Sequence, residues 1–535
     1  MAGHRVTDVF VEILPLSQHP GLFVCGHART FSHIERSYMM SKIISCLSLL
    51  VMRLAVCHAD SPVETPRPVP ATRTEMKELL EDMKKRPYRI PLPELNDQEK
   101  QELGERSGSY EIRLRYHYVP QQEGSVFGSG RPRSGQDGGA RGTGGQGNAA
   151  PPGGAAAPSD FTRNADENMT LTYQFKTMLF WIVSRTNNCQ YCLGHQEWKL
   201  SATGMKDDAI AALDADWSAY SKAEQAAFAF ARLLTYEPHR LSNEEIAGIG
   251  EHYTPLQILE MTMSISGNNA INRWKEGSGI PQSSGNTFTG RGGAGSAPAS
   301  EHSDSFTTPT SEKFRSAVSI VAPFEVFQGK PSCQGLSTRP QMETRDEVKA
   351  KLAEATTRTA RLPLVDEAVA KAWLIESEQD FPASNWVRLL ANFPNEGRGR
   401  LPSLVSREKQ TGDLTELQKA QFNWIIARQD RAWYAVGQAY KKLESLGQSE
   451  DQIFALDGDW KEFSEGDQSL FMFAKHLAAS PIALTDEDAA LALELTGPRN
   501  VVQTINHVAS CAYFDRVTEA AGLPLEESQI IPDRQ

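Results

Sequence analysis

Leu171, Phe175, Met178, Leu179 and Ile182 recur at steps of three and four. That spacing lines one face of an α-helix, so a buried helical face is predicted from Asn168 onward. The same periodicity predicts helices over roughly 207–215, 221–235, 242–250 and 254–275, and an earlier one from Thr72 to Met83. Ser221 with Glu224, and Ser242 with Glu245, match the capping-box pattern in which a hydroxyl and a carboxylate satisfy each other's backbone N–H groups. Thr186-Asn187-Asn188 predicts a turn and an N-cap. After Thr344 the chain again reads as helical, and the predicted fold is all-α.

Laying residues 171–281 over 414–524 without a gap gives roughly 30% identity, the signature of an internal duplication. Leu213-Asp-Ala-Asp-Trp217 against Leu456-Asp-Gly-Asp-Trp460 is the clearest block. Arg185, Tyr191, Gly194 and Leu200 recur at Arg428, Tyr434, Gly437 and Leu443 (428 − 185 = 243), and Arg273 recurs at Arg516. An ungapped register means that neither copy gained or lost a helical turn. Two tandem helical domains are expected, at 72–281 and 346–535, and a fused pair could imitate a dimer interface within one chain, besides any homo-oligomer.

The chain has 535 residues, 40% of them hydrophobic, and a net charge of −12. With no long Lys/Arg block, that balance argues against nucleic acid as a partner. Residues 122–158 are dominated by Gly, Ser, Pro and Ala and are expected to be a disordered insertion, with a flexible linker at 282–345. In the N-terminal segment 1–71, residues 39–59 resemble a signal peptide, with a Lys, a short apolar run and the small-residue pattern Cys57-His-Ala59. Export, to a periplasm for instance, is then expected; otherwise the protein is cytoplasmic. The apolar run is too short for a membrane span, and Arg53 ends it.

Of seven cysteines only Cys189 and Cys192 are close in sequence, and His195 follows three residues later. On a helix these steps form one ridge of neighbouring side chains. Two thiols so placed can close a strained, reducible disulfide. The helix N-terminus favours a thiolate at Cys189, whereas His195 is one turn from Cys192 and could take its proton, which makes Cys192 the attacking thiol. In the second half the three positions are Ala432, Ala435 and Gln438, so the copy keeps the scaffold without the chemistry. Buried inert thiols and a three-ligand metal site are the alternatives, although zinc favours four ligands and a second CxxC is absent. Tyr191, kept at Tyr434, reads as packing. Arg273 and Arg516 read as a structural ion pair or cap, and Asp214, Asp216 and Trp217 as a helix end with a core aromatic. Cys333 and Cys511 read as incidental.

The run Arg185-Thr-Asn-Asn-Cys-Gln-Tyr-Cys-Leu-Gly-His195, with Asn272-Arg273 further on, resembles the carboxymuconolactone decarboxylase and alkyl hydroperoxidase D family. The resemblance covers about 165–282, and 408–525 through the repeat, and implies two helical bundles of that family's fold. It implies a thiol peroxidase or disulfide oxidoreductase. Cys192 would attack a hydroperoxide, Cys189 would resolve the sulfenic acid, a thioredoxin-like dithiol would restore both, and His195 would relay protons. No metal or organic cofactor is implied. The chain departs from the family in two places. The family's His lies four residues after the second cysteine, and the Glu found twelve residues before the first is here Thr177. Glu197, Glu260 and His252 are candidates to replace that carboxylate. The rival readings are a non-enzymatic exported helical scaffold with a relic CxxC, and a decarboxylase-like lyase using His195 as base.

Overall fold

A computed structural model describes residues 68–120, 164–282, 310–322 and 342–531. The segments expected to be a signal peptide and a Gly-rich insertion lie outside the described residues, as does Cys333. Among the described residues the fold is all-α, and the only strand-like pairing is an isolated antiparallel bridge between Thr72 and Val318. No helix among them is long and apolar enough to cross a membrane.

Three helices open the fold: α1 (Arg73–Asp82), α2 (Asp97–Leu103) and α3 (Tyr110–Tyr118). The first was expected; α2 and α3 were not, because each is short and α3 mixes buried and polar positions without a clean stripe. The first half then runs α4 (Tyr173–Asn187), α5 (Gln190–Ala202), α6 (Asp207–Ala212), α7 (Lys222–Tyr236), α8 (Asn243–Gly250) and α9 (Pro255–Ser278). Both expected capping boxes are formed, at Ser221 and Ser242. A short α10 (Glu312–Arg315) lies within the expected linker. Residues beside it are tied down there: Ser319 N donates to Ala71 O at 2.8 Å and Ile320 N to Asp214 O at 3.0 Å. Val321 is fully buried in the core, so an apolar anchor orders what composition marked as loose.

The second half is led by α11 (Arg345–Thr357), α12 (Glu367–Glu376), α13 (Asn385–Leu390), α14 (Pro394–Arg398) and α15 (Leu401–Glu408). It continues with α16 (Glu416–Asp430), α17 (Trp433–Ser445), α18 (Glu450–Ala455), α19 (Glu465–Ala478) and α20 (Asp486–Ala520). Gly497 breaks α20, and Pro498 restarts it as Pro255 starts α9. The bounds repeat those of the first half at one offset: 416 − 173, 433 − 190, 450 − 207 and 465 − 222 all equal 243. The shared arginine has the same task in both halves. Arg185 Nε donates to Asp214 at 2.9 Å and Arg428 Nε to Asp457 at 3.1 Å, clamping the end of α4 or α16 to the loop after α6 or α18.

The halves are not separate bodies. All described residues fall in one compact unit, Glu64–Gln535, and a single apolar core runs through both, with α9 packed along α20. A Cβ added at Gly277 would meet Ile505 and Leu477 at 2.9 Å, so only glycine permits that close approach.

Candidate functional site

The thiols sit at a sharp junction between helices. Asn188 ends α4 in the left-handed region (φ 56°, ψ 35°), a conformation asparagine tolerates better than most residues. Cys189 itself is then the N-cap of α5, with its N–H donating to Ser184 O at 2.9 Å and its carbonyl accepting from Leu193 N at 3.0 Å. The N-cap expected from Thr186-Asn187-Asn188 is therefore displaced by one residue. Asn187 is spent elsewhere, its amide donating to Asn269 and Asn272 at 2.9 Å.

Both thiols are free and enclosed: Cys189 is 0% and Cys192 2% exposed, in an apolar cluster with Phe180, Tyr191 and Ile271. The Cys189 thiol is pushed well above its ordinary pKa, first by burial and then by its hydrogen bond to the Cys192 thiol, with the Glu276 carboxylate adding to the effect. Desolvation overrides the helix terminus, which was expected to favour a thiolate here. The two sulfurs are neighbours joined by one hydrogen bond.

His195, one turn further along α5, is half-buried, with its ring centroid 4.5 Å from that of Tyr191. Burial, then the positive charges of Lys275 and Lys199, push its pKa down to about 3. The imidazole is neutral across the physiological range and a weak proton acceptor. Lys275 Nζ lies 4.5 Å above the Tyr191 ring and pairs with Glu111. Glu111 also accepts from Trp274 Nε1 at 2.8 Å and pairs with Arg115 at 2.9 Å. Burial works to raise the Glu111 pKa, but Lys275 and Arg115 more than reverse this and bring it to about 2. A chain of groups, Glu111, Lys275, Tyr191 and His195, thus borders the thiol cluster. Glu111 and Lys275 were missed from sequence: α3 gave no legible signal, and Lys275 has Thr518 at its repeat position.

The residues considered for the missing carboxylate are engaged elsewhere. Thr177 donates its hydroxyl to Tyr173 O at 2.8 Å, one turn back on its own helix. Glu197 is buried against Arg73 at 2.7 Å. Glu260 pairs with Lys176 at 2.5 Å and accepts from Thr170 N at 2.8 Å, holding the entry to α4. His252 is exposed in the turn after α8. The acid acting on Cys189 is Glu276, 1% exposed near the end of α9, with Arg86 at 3.7 Å.

The second half has the same junction without sulfur. Arg431 takes the left-handed position (φ 53°, ψ 37°), and Ala432 is the N-cap of α17 (φ −83°, ψ 89°), close to Cys189 (φ −80°, ψ 93°). Gln438, at the place of His195, accepts from Ile530 N at 3.0 Å and so helps seat the C-terminal segment. The thiols are therefore not what shapes the turn. Among the described residues no group of three or more His, Cys, Asp or Glu side chains is arranged to hold a metal ion. Comparison with models of known protein families and with curated protein sequences gives no match.

Proposed function

We propose that the protein is a thiol-dependent oxidoreductase of the alkyl hydroperoxidase D type, in which Cys189 and Cys192 cycle between dithiol and disulfide. The observation that carries this reading is the hydrogen-bonded pair of buried free thiols at the start of α5, in a junction whose twin keeps its shape with alanines. Deprotonated Cys192 attacks the terminal oxygen of a hydroperoxide; the O–O bond breaks, an alcohol leaves, and the sulfur becomes a sulfenic acid. Cys189 then attacks that sulfur, water leaves, and a disulfide forms. An external dithiol supplies the two electrons and two protons that restore the pair. His195, one turn from Cys192 on α5, is the proton acceptor in this reading. With His195 held neutral, it accepts a proton from Cys192 only transiently.

Mass mapping of reduced protein treated with a hydroperoxide tests this. The expected result is loss of two hydrogens from the 189–192 segment, reversed by a dithiol, while Cys511 stays reduced. A second reading, a helical scaffold with inert thiols, draws on the enclosure and raised pKa of Cys189. It predicts no change in that segment at hydroperoxide concentrations that oxidise an exposed model thiol.

A further inference from the structure

The repeat reaches further toward the N-terminus than the offset of 243 shows. Thr72, Arg86, Arg89, Pro91 and Leu92 recur at Thr344, Arg358, Arg361, Pro363 and Leu364, each 272 residues later (344 − 72 = 272). The helices that the two threonines open, α1 and α11, both start in a capping box, and a non-helical strap with an Arg-x-x-Arg pair follows each.

In both halves this pair grips the same acid. Arg89 Nη1 donates to Glu276 O at 2.5 Å and Arg361 Nη1 to Glu519 O at 2.8 Å, and the two glutamates are repeat partners (519 − 276 = 243). The other arginine faces the acid's side chain: Arg86 lies 3.7 Å from the Glu276 carboxylate and Arg358 3.0 Å from that of Glu519. Both acids are enclosed, at 1% and 2% exposure. Arg86 is also shared with Asp486, at 3.1 Å, so its charge is divided between two carboxylates.

What the acid meets differs between the halves. Glu519 Oε2 accepts from Trp433 N at 3.0 Å, the first N–H after the N-cap Ala432, and so balances the positive start of α17. Ala432 offers that charge nothing to act on. In the first half the N-cap is Cys189, whose thiol is raised first by burial and by the Cys192 thiol, with the Glu276 charge acting in the same direction. A carboxylate clamped at this place opposes the helix terminus, which by itself would draw a thiolate to Cys189.

We propose that Glu276 is a positioning residue for the thiol pair: its negative charge disfavours a thiolate at Cys189 and so reserves the attack on hydroperoxide for Cys192. The proposal rests on the redox reading and assigns the order of its two sulfurs. Once Cys192 is a sulfenic acid, Cys189 forms the S–S bond, and its proton leaves with the sulfenic oxygen as water.

The test measures, in reduced full-length protein at a fixed pH of about 8, how fast iodoacetamide alkylates Cys189, read by mass mapping; alkylation follows the thiolate. Glu276→Gln is expected to speed it about tenfold, and Arg86→Met, which leaves the carboxylate with less counter-charge, to slow it. Glu519→Gln, at the twin position, is expected to leave it unchanged. A merely structural role would loosen the fold and speed alkylation in Glu276→Gln and Arg86→Met alike. That result, or an unchanged rate in Glu276→Gln, would overturn the proposal. A second arm adds hydroperoxide with dimedone, which traps sulfenic acids. The adduct is expected on Cys192 alone in the parent and on both cysteines in Glu276→Gln; Cys192 alone in both proteins would also overturn it. Oxidation of neither thiol would instead sink the redox reading, and the proposal with it, whatever the alkylation rates show.

Discussion

Arg273 and Arg516 make the same reach in opposite directions. Arg273 Nη2 donates to Ala478 O at 3.0 Å, and Arg516 Nη2 donates to Thr235 O at 3.0 Å. The acceptors are themselves related by the repeat (478 − 235 = 243), so each arginine closes the end of the other half's helix. This is the reciprocity of a two-fold interface, here within one chain. Both guanidiniums also donate to the single Ser480 hydroxyl, at 2.7 and 3.3 Å. Replacing Arg516 by Met leaves its buried partner Asp430 without a counter-charge, and should cost about 3–5 kcal/mol. Arg273→Met, which strands neutral acceptors, should cost about 2–4 kcal/mol. Because Ser480 is shared, the double variant should depart from additivity by more than about 0.5 kcal/mol in equilibrium urea unfolding. Strict additivity would mean that the two reaches are independent.

Gly277 packs where α9 meets the second half, and a methyl group there has no room against Ile505 and Leu477. Gly277→Ala should destabilise by about 1–3 kcal/mol through overpacking, despite the higher helix propensity of alanine. An unchanged or increased melting temperature would show that the interface can yield.

The twin junction predicts a separation of stability from reactivity. Since alanine occupies both equivalent positions at Ala432 and Ala435, Cys189→Ala and Cys192→Ala should each cost less than about 1.5 kcal/mol. Each should nevertheless abolish disulfide formation under hydroperoxide. Chemical denaturation and mass mapping on the same samples check both parts; a large loss of stability would assign the sulfurs to packing.

His195 should make stability depend on pH. Its folded pKa, about 3, lies below the ordinary 6.5, so the unfolded chain binds more protons between those values. Its contribution is complete above pH 6.5 and is lost as pH falls toward 3. The buried His507, also pushed well below its ordinary value by burial, acts in the same direction. Glu111, lowered to about 2, adds a loss that begins only as pH falls through about 4.5. His195→Gln, which installs the residue found at Gln438, should flatten the fall in unfolding midpoint between pH 6.5 and 5. Equal slopes in variant and parent would remove His195 from the account.

The sequence by itself determined the helices that carry a strong apolar stripe, their caps, and the repeat at 243 residues, because these depend on local periodicity and on side chains three or four positions apart. It also singled out Cys189, Cys192 and His195 by their spacing. It left α2, α3 and the anchored stretch around α10 unread, since their order comes from burial against distant segments. Only the tertiary structure decided the electrical state of the site. Enclosure raises Cys189 against the helix terminus, and enclosure, with Lys275 and Lys199 adding to it, holds His195 neutral. Desolvation and charges brought from residues far along the chain outweigh what neighbours in sequence can do, and no local pattern encodes them.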